Sequence, residues 1–148
     1  MKRRRAVAGL SLLGMASMAA ITLRQMGIVT HLPDPPLKGF DSDKVNLSET
    51  AFGLGVPDGT IGMVGYAANL PLAAFGGADR AKLQPWAPLA TAGKAAVDAV
   101  IAARLLYQMP THEKAWCSYC IVGALVNFAI LALVLPEAKD ALSAVRST

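Results

Sequence analysis

Two uncharged apolar runs, over residues 6–23 and 115–135, constrain this chain more than any motif in it. Each approaches the roughly 20 residues a helix needs to cross the hydrocarbon of a bilayer. Only 16% of the 148 residues are charged and 54% are hydrophobic, where about a quarter charged is usual in a soluble domain. Mean hydropathy is +0.44. The chain therefore reads as lipid-embedded, with room for about four spans joined by short loops. Spans in lipid must satisfy their own backbone, which favours helices. The expected fold class is all-α, an integral membrane four-helix bundle, with residues 1–148 forming a single membrane domain.

The expected helices cover about 6–23, 59–75, 87–107 and 115–135, with an outer loop over about 24–58. The first segment, behind Lys2, Arg3, Arg4 and Arg5, is read as a retained anchor, with a cleavable signal peptide as the alternative. A basic head followed at once by an apolar run argues against nucleic-acid binding, and no motif of a nucleic-acid module is present. Pro33, Pro35 and Pro36 break any helix in the outer loop. A short amphipathic helix is expected to start near Asn46, with Ser48 as its cap. In the second segment Gly62 and Gly65 offer a small-residue packing surface, and Pro71 predicts a kink. Residues 76–86 form a loop with Trp86 at the membrane interface. The third segment carries Lys94, Asp98 and Arg104. Lys94 and Asp98, four apart, share a helix face and pair; the segment either spans or lies on the surface. Residues 108–114 form a short outer loop. Pro136 is expected to end the fourth segment, before a polar tail.

With the N-terminus inside, the inner side collects Lys2, Arg3, Arg4, Arg5, Arg80, Lys82, Lys139 and Arg146. The outer side holds Arg24, Lys38, Lys44 and Lys114. This bias obeys the positive-inside rule. The expected location is a bacterial inner membrane, multi-pass, with Cys117 and Cys120 facing the periplasm.

Cys117 and Cys120 are the only cysteines. Three apart on a helix, they share a face and lie close enough to bridge. No second Cys pair or His pair completes a zinc site, and Ile121 stands where a c-type haem site needs His. At a helix start, free N–H groups and the positive helix end stabilise a thiolate, and an outward pair meets an oxidising compartment. Thiol–disulfide exchange is the favoured chemistry; two small fillers of a helix interface are the bland alternative. Cys117, nearer the helix start and water, is expected to be the more reactive thiol. Asn127, about two turns deeper on the face of Cys120, either bonds a neighbouring helix or contacts a quinone carbonyl. His112 is a loop histidine and a possible proton acceptor.

The segment Trp116-Cys117-Ser118-Tyr119-Cys120 resembles the cysteine pair of the vitamin K epoxide reductase family, whose four-helix members carry it at the outer start of helix four. Phe52-Gly53-Leu54-Gly55-Val56-Pro57, followed by Gly62, Gly65 and Tyr66, is similar to the family's turn into helix two. Ser48 lies where the family often has a serine. The resemblance covers about residues 41–135. It implies electron transfer from a periplasmic thioredoxin-like protein or other dithiol, through the pair, to a membrane quinone (ubiquinone or menaquinone). It implies that Cys120 is the quinone-proximal thiol and that Cys117 exchanges with the incoming thiols. Asp58, Tyr66 and Asn127 are the candidate quinone-binding residues. The chain departs from the family pattern in three places. The outer loop has no cysteine: where a shuttle pair would lie, the residues are Asp41-Ser42-Asp43. Asp58 replaces a quinone-contacting asparagine of animal members, and Ala124 a quinone-contacting tyrosine.

These observations point to a membrane thiol–disulfide oxidoreductase. One alternative is a non-catalytic degenerate family member, serving as a membrane subunit or assembly factor. Another is a small transporter built on Lys94 and Asp98.

Overall fold

The computed structural model describes residues 1–147. Among them the secondary structure is helical, apart from one isolated parallel bridge between Phe40 and Trp116. Helix α1 spans Lys2–Gln25, α2 Ser42–Asn46, α3 Asp58–Ala74, α4 Arg80–Leu83, α5 Trp86–Gln108 and α6 Ser118–Arg146. α1 packs along α3 and α6, and α5 packs along α6; α3 touches α5 only lightly. By length and composition, α1 and α6 are long and apolar enough to cross a membrane.

Small residues make the long contacts. On α1 the buried positions include Val7, Ser11, Gly14, Ser17 and Ile21, spaced three or four apart, so they form one stripe. On α5 the stripe is Thr91, Ala95, Ala99 and Ala102. A Cβ added at Gly14 would lie 2.5 Å from the Tyr66 ring, and one at Gly62 would lie 2.7 Å from Met18 Sδ. These two glycines let α1 and α3 approach closely. Gly65 does not: its Cβ position is open, and its carbonyl accepts instead from Lys94 Nζ. Lys94 also pairs with Asp98, so this couple ties α5 to α3.

Several boundaries differ from the expected ones. α6 does not stop at Pro136 but runs on to Arg146. Proline removes one backbone donor, but the next residue, Glu137, is clamped by Arg80, and Ala138 and Ala141 are buried. Tertiary contacts thus carry the helix past the proline. The short outer helix ends at Asn46 rather than starting there; Asp41 caps it by accepting from the Lys44 N–H. Ser48 donates to the Val45 carbonyl instead. The expected loop over 108–114 is a π-turn, Met109–Glu113, with Met109 buried. Arg80, expected in an open loop, is 2% exposed.

At the end of the molecule that holds the start of α1 and Glu137 of α6, two arginines close α3. Arg4 donates to the carbonyls of Ala73, Ala74, Phe75, Gly76 and Gly77. Arg80 donates to the carbonyls of Leu72 and Phe75 and forks onto both Glu137 oxygens, at 2.7 Å each. Carbonyls left free at a helix C-terminus need such donors.

Candidate functional site

The cysteines lie at the opposite end. Cys117 is the N-cap of α6, in extended conformation, and Cys120 lies in the first turn. The two are joined by a disulfide, with Cα atoms 5.2 Å apart, inside the usual range for a bridge. The Cys120 N–H donates to Cys117 Sγ at 3.1 Å. It is one of the orphan donors every helix start leaves over.

The outer loop roofs the pair. Its strand-like segment is zipped to the chain just before Cys117: Trp116 N–H donates to the Gly39 carbonyl and Asp41 N–H to the Trp116 carbonyl. Asp34 accepts from Ser42 N–H and from the hydroxyls of Ser42 and Ser118, at 2.6, 2.6 and 2.7 Å. Ser118 N–H in turn donates to Ser42 Oγ. Ser118, the first of the two residues between the cysteines, is thereby pinned to the loop. Partial burial pulls the Asp34 carboxyl up, but the hydrogen bonds from Ser42 and Ser118 outweigh it and hold the pKa below the usual value. Asp43 behaves alike. Burial raises it, and hydrogen bonds from Arg24, His31 and Leu32 N–H bring it below the usual carboxylate range.

Asn46, at the end of α2, is 2% exposed and sits against the bridge. Its Nδ2 donates to Cys117 Sγ at 3.2 Å, and its Oδ1 lies 3.6 Å from Cys120 Sγ. Cys117 is 0% exposed, packed with Ile21, Leu32 and Met109. Cys120 is half-buried and lines a cleft. The expectation that Cys117 is the sulfur nearer water is therefore overturned: the loop covers the helix start.

The cleft beside Cys120 has a volume of about 40 Å³ and is lined by Asn46, Ser48, Asp58, Leu105, Gln108 and Glu113, among others. Asp58 opens α3 and accepts from Gln25 Nε2 at 2.7 Å. Gln25 Nε2 also donates to the Asn46 carbonyl, so one glutamine joins the ends of α1, α2 and α3. Of the three expected quinone-binding residues, the cleft brings only Asp58 together with Cys120. Tyr66 is buried about two turns further along α3, its hydroxyl donating to the Gly123 carbonyl at 2.6 Å. Asn127 is half-buried on α6 and does not line the cleft. His112 lies in the exposed part of the π-turn. No group of three or more His, Cys, Asp or Glu that could hold a metal occurs among the described residues.

Asn46, Asp34, Ser42 and Gln25 were not singled out by their sequence. A polar loop residue carries no local sign of burial. The one available signal was Asp41, which with its downstream N–H marks the start of α2 and so fixes the face on which Asn46 falls.

An all-helical chain whose only two cysteines form a bridged C-x-x-C at a helix start, under a docked loop, has the architecture of a thiol–disulfide centre. It belongs to the vitamin K epoxide reductase family, whose model matches residues 5–135. Proteins of that family are membrane-associated and generally quinone-linked, and membership suggests a membrane thiol oxidoreductase. Comparison with curated proteins returned no match.

Proposed function

We propose that this protein is a four-span membrane oxidoreductase that carries electron pairs from a periplasmic dithiol, through Cys117–Cys120, to ubiquinone or menaquinone. The observation that carries this reading is the disulfide at the capped start of α6, with one sulfur sealed and the other on a cleft.

The membrane part rests on which residues face out. α5 buries Thr91, Ala95, Ala99 and Ala102, and α6 buries Ala124, Ala138 and Ala141 beside Val126, Ile130 and Val134, while Val97, Val100, Ile101, Leu125 and Phe128 are exposed. Large apolar side chains left on the outside of the bundle suit a lipid surround. α3 and α5, which carry fewer apolar residues or more charge, cross as part of the same bundle. Lys94 and Asp98 neutralise each other against Gly65, as a charged pair in lipid must. The arginine-clamped end is cytoplasmic and the cysteine end periplasmic. α1, which supplies core residues, is a retained span.

The polar groups around the cleft suit a quinone and its quinol: the Gln108 amide can donate to a quinone oxygen, and the Asp58 carboxylate can accept from a quinol hydroxyl beside Cys120. The cleft's volume of about 40 Å³ takes water but not a ring, so admission requires the loop and the α5 end at Leu105 and Met109 to part. A bound quinone supplies a two-electron, two-proton acceptor. The protein's own groups do the rest. Cys120 offers the attackable sulfur. Cys117 leaves onto its N–H donors, and the roof excludes water.

With no cysteine in the outer loop, the incoming protein dithiol reacts with the bridge directly, at Cys120 rather than at Cys117 as the family resemblance implies, because Cys117 is sealed and Cys120 lines the cleft. The dithiol's thiolate attacks Cys120 Sγ and the Cys117–Cys120 bond breaks. Cys117 departs as a thiolate, and a mixed disulfide forms on Cys120. The second partner thiol, having lost its proton to water, attacks the partner sulfur of that mixed disulfide. Cys120 is released and takes up a proton. The partner ends as a disulfide, and the pair has gained two electrons.

The test is purified protein with a reduced thioredoxin-like protein and a quinone. Quinol is expected with wild type and none with Cys117→Ser or Cys120→Ser. Equal absence of quinol in all three supports the non-catalytic subunit reading instead.

A further inference from the structure

The bridge opens to two sulfurs that need not share charge equally, and the groups around them differ. Cys117 receives two N–H donors, from Cys120 and from Asn46 Nδ2. Cys120 faces Asn46 Oδ1, an acceptor. The amide cannot be turned over. Its Nδ2 also donates to the Ser42 carbonyl at 2.7 Å, and a flip would set two carbonyl oxygens against each other. A thiolate only accepts, while a thiol has one proton to donate. The fixed amide therefore matches one charge arrangement of the reduced pair and opposes the other.

No cation competes for this role. Among the described residues lining the cleft, Asp58 and Glu113 are acidic and none is basic. Both carboxylates lie on the side of Cys120 and disfavour charge there. From the loop, Asp34 faces the pair only across Ser118, and Arg24 of α1 is engaged by Asp43. Neutral N–H groups are left to hold the negative sulfur.

We propose that Asn46 is a catalytic residue that partitions the reduced pair into a Cys117 thiolate and a Cys120 thiol. It donates to the first and accepts from the second. This deepens the redox reading above and rests on it. Its consequence is that the leaving sulfur and the sulfur open to the cleft are assigned by one side chain from the loop, in a chain whose loop carries no thiol.

The test uses the full-length protein in nanodiscs. Thiolate absorbance of the reduced protein is followed against pH, and the bridge is equilibrated with glutathione buffers. The lower-titrating thiol is expected below the free-cysteine value of about 8.5. It should persist in Cys120→Ser and vanish in Cys117→Ser. Asn46→Ala should cut the thiolate-to-thiol ratio about tenfold, which lowers the reduction potential by about 30 mV. Asn46→Asp keeps the size of the side chain, loses the donor and adds repulsion, so its shift should be larger. If Asn46→Ala does not fold, Asn46→Asp decides. Wild-type titration and potential in a folded Asn46→Asp protein, or a low-titrating thiol retained in Cys117→Ser, overturns the assignment. Neither measurement needs a protein partner or a quinone. A wild-type bridge inert to glutathione takes the redox reading down with it. A bridge that equilibrates but ignores Asn46→Asp removes Asn46 alone.

Discussion

At the end that holds Arg4 and Arg80, full charges meet backbone carbonyls and a carboxylate, and the cavity there is only about 10 Å³. At the cysteine end, the sulfurs are held by an amide and a backbone N–H, beside a cleft about four times larger. The comparison separates two uses of buried polarity. A guanidinium with every nitrogen bonded locks helix ends together. Neutral donors on a sulfur bias its ionisation without fixing it, so the pair remains able to alternate. One end is built to stay put and the other, in the function proposed, to change state.

The sharpest way to break this contrast is to remove a sulfur. Cys120→Ser should abolish thiol-dependent electron transfer, measured as quinol formation, while leaving the thermal melt of the reduced protein nearly unchanged. If activity survives, the cysteine end is as structural as the arginine end. The second largest effect belongs to Arg80→Leu. It strands Glu137 and uncaps the Leu72 carbonyl, while the Phe75 carbonyl keeps its bond from Arg4. Breaking a buried ion pair by removing one partner costs about 3–5 kcal/mol. Because the Glu137 side chain is 23% exposed, a loss of about 3 kcal/mol is expected in detergent unfolding. The glutathione-equilibrated potential of the folded fraction should not move. A shifted potential would join the two ends that the comparison separates.

The smallest expected effect is acid loosening of the roof. Asp34 and Asp43 titrate below the usual carboxylate value in the folded protein. A depressed folded pKa adds stability that is whole above the unfolded pKa of about 3.9 and fades as pH falls through the folded value. Amide protection over the outer loop, taken relative to the unfolded rate at each pH, should therefore fall below about pH 4, ahead of protection in α6. Asp34→Asn should show the loosened loop already at neutral pH. Protection that is flat with pH across the loop would mean the Asp34 and Asp43 contacts do not hold it.

The apolar runs made α1 and α6 legible, because length and hydropathy are local properties. The i, i+4 spacing of Lys94 and Asp98 gave their pairing for the same reason. Two failures came from tertiary contact. Pro136 reads as a stop only to a helix standing alone; Arg80, fifty-seven positions earlier, grips the next residue. Cys117 reads as water-facing only if nothing covers the helix start; a loop some seventy positions earlier does cover it. Within the candidate site, the closeness of the two cysteines was legible from spacing, and Asp58, chosen from family pattern, lines the cleft with Cys120. Asn46 was not legible, since its value depends on where a proline-rich loop folds back. Tyr66 on α3, tied by its hydroxyl to the Gly123 carbonyl, and Asn127 on α6 do not line the cleft that Cys120 lines.

The most direct measurement is the redox state of Cys117 and Cys120 in intact membranes, by trapping thiols before and after a membrane-permeant dithiol and again after quinone is restored. The account predicts a bridge that the dithiol opens and the quinone re-forms. Two thiols that never bridge, or a bridge no dithiol opens, would contradict it.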